Sequence, residues 1–397
     1  MKKYLNSSSI YILLWCLYNL QGALYPSGSL LAKLLLFIIL IWSIFSFIRV
    51  NIYPNSLPSF LKASNLFLLI MTFYGVVLII SGQELYITED YAHIKSYNHD
   101  YLKNIYLSLL PIYVCYDYSR SGKFDQTHIN LYTATLLPVF IINFIYSYNQ
   151  AVQLASRLEG FSGATLNVGY KFLSMFPLVL LMCRNYIKYI LLLICTFFIL
   201  LSVKRGAILI AFVCFIYFLY TTLKNAQSRR RGGIVVLTIL SIVIVYFITN
   251  EILESYEYFI RRLESTIEGN TSNRNVIYKT YFTHFISETN LFRFVFGNGA
   301  NSTLKIGFNY AHNDWLELAI NNGLTGVIIY ALYFIALIKD YFALKKKKFK
   351  YANVVFMAFI IMFMSSIFSM SYATISMPIA ISLGYTMVYV NRNTIIV

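Results

Sequence analysis

A histidine and several polar residues stand directly before an apolar run in the stretch AHNDWLELAINNGLTGVIIY, which begins at Ala311. Polar and charged groups are costly to place beside a membrane segment unless something requires them. Because a histidine side chain titrates near neutral pH, it suits the removal of a proton from a reacting hydroxyl. We predict a catalytic or substrate-binding role for His312, with Asn313, Asp314 and Glu317 as candidate substrate-binding residues. The alternative is a structural histidine with satisfied hydrogen bonds.

Basic residues elsewhere in the chain could bind an anion. Lys204 and Arg205, in LLSVKRGAILIAF, stand between two apolar runs with no acidic residue close by in the sequence. Gly206 permits a tight helix-to-helix turn that would aim Arg205 inward. We predict an anion site here, and the alternative is that both side chains reach out to lipid phosphates.

A third basic residue, Arg274, lies in SNRNVIYKTYFTHFI, whose pattern predicts a helix. Ser272 or Asn273 can cap this helix, so Arg274 would lie in its first turn, where backbone N–H groups favour an anion. The apolar stripe of the helix is formed by Val276, Ile277, Tyr281 and Phe285. Further along the chain, Gly323 and Gly326 mark a break after the short amphipathic helix that follows His312.

The elements that must position these residues are membrane helices. Of the 397 residues 58% are hydrophobic and only 12% are charged, against about 25% charged in an ordinary soluble protein. Apolar runs recur from end to end, which is typical of a polytopic helical membrane protein. The five cysteines lie in or beside these runs, so we interpret them as packing residues rather than as disulfides or zinc ligands.

Twelve membrane spans fit the apolar runs, and we predict a single all-α integral membrane domain over residues 1–397. The spans share an apolar composition and short polar flanks. They are Tyr11–Leu24, Leu30–Ile48, Leu61–Ile80, Tyr101–Tyr116, Ile129–Tyr146, Tyr170–Cys183, Tyr189–Val203, Ala207–Leu223, Gly233–Ile248, Leu324–Leu337, Val354–Phe368 and Ala373–Val390.

The distribution of basic residues sets the predicted orientation. The densest basic runs, LKNAQSRRRGG and ALKKKKFK, flank the ninth and tenth spans and can therefore both be cytoplasmic. Both termini then lie inside, and the net charge of +16 falls on the inner face. This position in short loops beside spans suits anionic lipid and argues against nucleic-acid binding. The longest outer loop, residues 249–323 between spans nine and ten, would carry much of the active site.

Three stretches occur in an order that resembles a known family. SVKRGAILIAF, NRNVIYKTYF…FVFGNGANS and AHNDWLELAINNGLTGVIIY are together similar to the O-antigen polymerase and O-antigen ligase superfamily of bacterial envelopes. The HNxxLExxxxxGxxG pattern is the most specific of the three. RLEGFSGATLNVGY also resembles the smaller outer loop of that family, with Arg157 in a matching place. The chain departs from the pattern at Lys204, where the family often has serine, and at Tyr278, where it often has tryptophan.

The resemblance implies a fold like that of C-type glycosyltransferases and an inverting glycosyl transfer on the periplasmic side of the inner membrane. It implies a glycan donor linked to undecaprenyl pyrophosphate and no cofactor or metal. Arg205, Arg274 and His312 would be catalytic, with Arg157 and Lys204 among the substrate-binding residues. Arginine suits this role because it keeps its charge and binds phosphate oxygens in bidentate fashion. Partner proteins would be a chain-length regulator and a repeat-unit flippase.

Several functions compete within and beyond this family. We predict a polymerase, whose acceptor is another lipid-linked repeat unit. The alternative is an O-antigen ligase, whose acceptor is lipid A–core. A flippase or transporter of lipid-linked sugars would show two repeating halves with broken helices at matching places, and the sequence shows no such symmetry. A purely structural subunit would not need the ordered set of arginines and histidine.

Overall fold

The computed structural model describes residues 6–52, 57–81, 95–157, 166–182, 185–225, 239, 243, 246–247, 274–306, 310–369, 371–372 and 376–392. These residues form α-helices joined by turns, and no β-strand occurs among them. The predicted all-α class is therefore confirmed for the described residues. The predicted ninth span, Gly233–Ile248, lies almost entirely outside them.

The described helices follow the apolar runs of the sequence. They are α1 (Ser7–Asn19), α2 (Leu30–Asn51), α3 (Ser59–Ile80), α4 (Lys95–Arg120), α5 (Gln126–Arg157), α6 (Gly169–Leu180), α7 (Asn185–Leu201), α8 (Arg205–Asn225), α9 (Arg274–Ile286), α10 (Leu291–Phe296), α11 (Ser302–Ile306), α12 (Asp314–Lys346), α13 (Ala352–Phe368) and α14 (Met377–Met387).

Five stretches within the described residues are long and apolar enough to cross a membrane. They are Leu30–Asn51, Ser59–Ile80, Gln126–Ala151, Arg205–Lys224 and Asp314–Lys346, and they coincide with the second, third, fifth, eighth and tenth predicted spans. Several other predicted spans coincide with shorter apolar helices, among them α6, α7, α13 and α14. The total of twelve spans stays a prediction.

The chain divides into two compact units. The first comprises Met1–Trp42 and Tyr118–Asn270, and the second comprises Ser43–Asp117 and Thr271–Val397. The first unit includes Lys204 and Arg205, whereas the second includes Arg274 and His312. The single membrane domain predicted for residues 1–397 stays a prediction.

The core of the first unit is aromatic. Phe172 on α6 stacks on Phe198 of α7 with ring centroids 4.7 Å apart, and Phe140 and Phe144 of α5 contact Phe172 edge to face. All four described cysteines are buried, which confirms the packing interpretation for them. The first unit therefore joins α5, α6 and α7 through apolar contacts.

In the second unit, α3 and α12 run antiparallel. The Asp340 carboxylate near the end of α12 accepts hydrogen bonds from the backbone N–H groups of Ser59 at 3.2 Å and Phe60 at 2.7 Å. These N–H groups begin α3 and have no partner within the helix, so the carboxylate caps them. Towards the other end of α3, the Tyr74 hydroxyl donates to the carbonyl of Phe296, which ends α10. The two contacts fasten α12 and the loop helices to α3.

Helix α12 is broken at Gly323, where the backbone has φ 63° and ψ −160°. The break exposes the last carbonyls of the first segment, and the turn after α10 covers them. The N–H of Asn298 donates to the Ile320 carbonyl and that of Gly299 to the Asn321 carbonyl, both at 2.9 Å. A Cβ atom at Gly323 would lie 2.5 Å from the backbone N of Gly297. The predicted break at Gly323 is confirmed, and it depends on close backbone contact.

Candidate functional site

His312 lies in a turn with a left-handed backbone, at φ 52°. This conformation is uncommon outside glycine, although histidine adopts it more often than most residues. The next residue, Asn313, caps α12, because its side-chain oxygen accepts from the N–H groups of Trp315 at 3.0 Å and Leu316 at 3.1 Å. The sequence HN therefore places the imidazole at the point where the chain enters α12.

Glu317 lies one helical turn into α12 and stabilises the chain that leads into His312. Its fully buried carboxylate accepts from the N–H of Ala311 at 2.8 Å, from the Asn321 amide at 2.9 Å and from the Thr303 hydroxyl. Three donors offset much of the cost of burying a carboxylate. Because Ala311 directly precedes His312, the carboxylate fixes the backbone on which the imidazole is mounted.

Tyr278 on α9 contacts the turn from a third direction. Its hydroxyl donates to the carbonyl of His312 at 3.2 Å and approaches the carbonyl of Ile367 at 3.4 Å. Burial raises the pKa of the Tyr278 hydroxyl, and the neighbouring Arg274 guanidinium partly offsets this effect. The hydroxyl is therefore protonated near neutral pH and acts as a donor.

Arg274, the first residue of α9, reaches the same place. Its guanidinium donates to the carbonyl of Phe368 at 2.8 Å, and the Asn313 side-chain amide donates to the carbonyl of Ile367 at 3.1 Å. The two carbonyls end α13. Arg274 and the His312 turn are 38 positions apart in the sequence, and both are fastened to the last residues of one helix.

Asp314 secures the segment that follows α13. The carboxylate, fully buried, accepts from the N–H of Ser371 at 2.7 Å, the N–H of Tyr372 at 3.0 Å, the hydroxyl of Tyr330 at 2.6 Å and the Ser371 hydroxyl. Its hydrogen bonds thus go to two segments of the second unit. Asp314 and Glu317 lie together in the first turn of α12 as predicted, but both carboxylates face the protein interior.

An apolar cluster that includes Ala311 packs against the His312 turn. Tyr281, Ala311 and Ile320 are buried together, with Ile277 and Phe285 packed against them. The hydroxyl of Tyr281 also donates to the carbonyl of Thr303 at 3.0 Å. The predicted apolar stripe of α9 is therefore confirmed in part. Its fourth member, Val276, is 64% exposed, because the residue lies on a different side of the helix from Ile277 and Tyr281.

In the first unit, Arg205 is the first residue of α8 and Lys204 directly precedes it. The expectation that Gly206 makes the turn is wrong, since Gly206 lies inside the helix. The left-handed residue of the turn is Val203, at φ 48°. Such a backbone is strained for a β-branched residue, and strain of this kind often occurs at functional sites. Arg157 ends α5, and its side chain lies outside the described part of the structure.

The arrangement in the second unit can bind an anion and accept a proton. Arg274 is the first described residue of α9, and its permanent positive charge favours an anion. The predicted cap residues, Ser272 and Asn273, lie outside the described residues. Sequence reasoning missed the hydrogen bonds of Tyr278 and the role of Ser371, since neither residue carries a spacing signal that joins it to His312.

Comparison with known proteins shows that part of the chain is similar to a known family. Residues 190–331 match the O-antigen ligase family model, Wzy_C. The predicted resemblance to the O-antigen polymerase and ligase superfamily is thereby confirmed, and the match includes Arg205, Arg274 and His312. Together with the apolar helices, it indicates a membrane protein related to enzymes of glycosyl transfer. The comparison with curated proteins found no match.

Proposed function

We propose that this protein is a glycosyltransferase that elongates a surface polysaccharide of the O-antigen type by joining repeat units linked to undecaprenyl pyrophosphate. The observation that supports this function best is the convergence of Arg274 and His312 on the end of α13. The guanidinium binds the Phe368 carbonyl, and the His312 turn is connected to the Ile367 carbonyl through Asn313 and Tyr278. A fixed cation at the helix end that also holds the His312 turn suits a reaction that releases pyrophosphate.

In the proposed reaction, a hydroxyl oxygen of the acceptor sugar attacks the anomeric carbon of the donor glycan. The bond between that carbon and the pyrophosphate oxygen breaks, and the electron pair leaves with undecaprenyl pyrophosphate. His312 takes the proton from the attacking hydroxyl. Attack from the face opposite the leaving group inverts the anomeric configuration. A general base of this kind typically contributes about 10²- to 10⁴-fold to the rate.

The arginines stabilise the charge that develops on the pyrophosphate. Arg274 would bind the phosphate oxygens with N–H donors other than the one that contacts Phe368, since a guanidinium carries five. Arg205 would contribute from the start of α8, with Lys204 and Arg157 as further contacts to the substrate. Arg205 belongs to the first unit and Arg274 to the second, so the role of Arg205 is proposed from the family resemblance alone. No nucleotide, cofactor or metal has a part in the proposed reaction.

For the polar neighbours of His312 we propose a positioning role in place of the predicted substrate binding. Asn313, Asp314 and Glu317 were predicted to bind the substrate, yet their side chains make hydrogen bonds to the protein backbone and to other side chains. We assign them to positioning. Glu317 and Asn313 hold the two sides of the His312 turn, and Asp314 holds the segment after α13. Correct placement of a base within about 1 Å is worth up to roughly 10²-fold in rate.

An O-antigen ligase is the second candidate, and the description of the matched family favours it. The test is to supply the purified protein, in vesicles, with lipid-linked repeat units alone or together with lipid A–core. A ladder of lipid-linked oligomers from the repeat units alone supports the polymerase. Product formed only when lipid A–core is present would show a ligase. No glycosyl product with either acceptor would contradict both functions.

We further propose that the protein lies in the bacterial inner membrane with both termini in the cytoplasm and the site facing the periplasm. The positions of the basic runs support this orientation. The expected partner proteins are a repeat-unit flippase that delivers the donor and a chain-length regulator. Within the second unit, the contact between Tyr74 and Phe296 puts the loop helices beside the predicted outer end of α3, as the orientation requires.

A further inference from the structure

The two loop helices α9 and α10 carry large apolar side chains that are exposed in the described part of the structure. Besides Val276 near the start of α9, five of them are exposed, between 44% for Phe296 and 75% for Leu291. We name this set the apolar patch, and its members are Phe282, Ile286, Leu291, Phe292 and Phe296. Phe292 and Phe296 contact each other with ring centroids 5.0 Å apart. Clusters of this kind are rare on surfaces that face water.

The patch is separate from the core of the second unit. On their inner side, α9 and α10 are joined by Phe285 and Phe294, whose rings stack at 5.0 Å, and Phe285 packs on the cluster beneath the His312 turn. Both helices therefore have one apolar side that packs against other parts of the second unit and a second that is exposed. A helix that is apolar on two sides needs a second apolar environment.

The exposed side of α9 changes character along its length. Asn275 and Lys279, near its start, are polar, whereas Phe282 and Ile286, near its end, are apolar. These four residues lie three or four positions apart and so share one side of the helix. The polar part is therefore farther from an apolar medium than the end that leads into α10.

The position of α10 indicates which apolar environment surrounds the patch. The Tyr74 hydroxyl donates to the carbonyl of Phe296, and Tyr74 lies six residues before the end of α3, or about 9 Å along the helix axis. Helix α3 is a candidate membrane span. Phe73 and Val77, which lie near Tyr74 on this helix, have exposed apolar side chains. The patch thus adjoins the surface of α3 that would face lipid.

We infer that the apolar patch is embedded in the outer leaflet of the membrane, with lipid acyl chains as its occupant. Two basic residues, Arg293 on α10 and Lys279 on α9, are exposed. Long basic side chains of this kind reach lipid phosphates while their aliphatic stems stay in the apolar layer. An interfacial helix of this type lies about 5–10 Å below the headgroups. The inference depends on the membrane orientation and not on the reaction.

Embedding of the patch would also set the depth of the site, a consequence that does rest on the proposed function. Helix α10 continues directly into Asn298 and Gly299, whose N–H groups hold the first segment of α12. That segment contains Glu317 and begins beside His312. Embedding the patch would therefore hold the imidazole near the level of the lipid phosphates, where the pyrophosphate of a lipid-linked donor also lies.

The test is a depth measurement on the full-length protein in vesicles of phosphatidylethanolamine and phosphatidylglycerol. A spin label is attached to Phe292→Cys in the patch and, as a matched control, to Asn275→Cys at the exposed polar start of α9. We expect the label at 292 to collide several-fold more often with oxygen than with a water-soluble nickel chelate, and the label at 275 to show the reverse. The chain without either substitution provides the background, since its four described cysteines are buried.

Two results would overturn the inference. Access of the nickel chelate at 292 as high as at 275 would place the patch in water, and protection from both reagents at 292 would show a protein contact instead of lipid. If the cysteine variants do not fold, Phe292→Trp and Asn275→Trp replace them, and quenching by brominated lipid is compared. Quenching at 292 no stronger than at 275 would contradict lipid embedding. None of these readouts requires enzymatic activity, so they do not depend on the proposed reaction.

Discussion

The carboxylate of Glu317 accepts a hydrogen bond from the backbone N–H of Ala311 at 2.8 Å, and so fixes the residue that precedes His312. Ala311 is fully buried, and His312 follows it with a left-handed backbone. This contact joins the first turn of α12 to the turn that presents the imidazole. It accounts for a buried acid five positions after the histidine.

Glu317→Gln tests this positioning role. All three partners of the carboxylate are donors, so an amide would turn its own N–H₂ group towards one of them. We expect kcat to fall roughly 10- to 100-fold with little change in KM, since a misplaced base slows the chemical step. Initial rates of glycan transfer in vesicles measure both constants. A rise in KM with unchanged kcat would instead support direct substrate binding by Glu317.

Gly323→Ala tests the break in α12. The new Cβ would meet the backbone N of Gly297 at 2.5 Å and would also occupy a backbone with φ 63°. Gly122→Ala is the matched control, because Gly122 has φ 72° and a Cβ added there would meet no atom within 4 Å. We expect the control to lose about 1 kcal/mol of stability from the backbone alone. Gly323→Ala should lose clearly more, as measured by thermal unfolding in detergent, and equal losses would contradict the close contact.

Arg274→Lys tests the proposed anion site. Lysine keeps the charge but loses the planar fork that binds two oxygens at once. We expect at least a roughly 10-fold loss of kcat/KM with normal membrane insertion. Arg293→Lys is the matched control, since Arg293 is an exposed arginine of the same loop, and it should retain activity. Full activity of Arg274→Lys would show that Arg274 serves only to hold the end of α13.

Reporter fusions test the orientation. A fusion after Lys350 should report the cytoplasm, because the basic run ALKKKKFK precedes it, and one at Asn301 should report the periplasm. Activity of a periplasm-specific reporter and of a cytoplasm-specific reporter gives the readout at each position. A cytoplasmic result at Asn301 would place the candidate site on the wrong face and end the proposed mechanism.

Much of the fold could be predicted from local patterns. Apolar runs predicted the long helices, Gly323 predicted the break in α12, and the pattern that follows Arg274 predicted the helix α9. Local patterns failed where a contact joins distant parts of the chain. The donors that surround Asp314 come partly from Ser371 and Tyr372, and no spacing rule joins those residues to α12.

The tight turn before α8 shows a second limit. A glycine is the usual residue for a left-handed turn, so Gly206 was the natural choice, yet Val203 takes that conformation. Tertiary packing can impose a strained backbone on a β-branched residue, and the sequence carries no sign of it. The same reasoning applies to His312, whose chemistry was predicted from its neighbours but whose left-handed backbone was not.

The most direct test of the central claim compares wild-type protein and His312→Ala in vesicles that contain a defined lipid-linked repeat unit. Glycan extension and the release of undecaprenyl pyrophosphate are measured together, as a function of pH. We predict that wild-type activity falls as the pH becomes acidic, because a protonated imidazole cannot accept a proton. We also predict that His312→Ala is slower by about 10²- to 10⁴-fold and lacks this acidic limb, while the protein inserts normally. A His312→Ala variant that extends glycan at the wild-type rate, with the same pH profile, would contradict the role of His312 as the base.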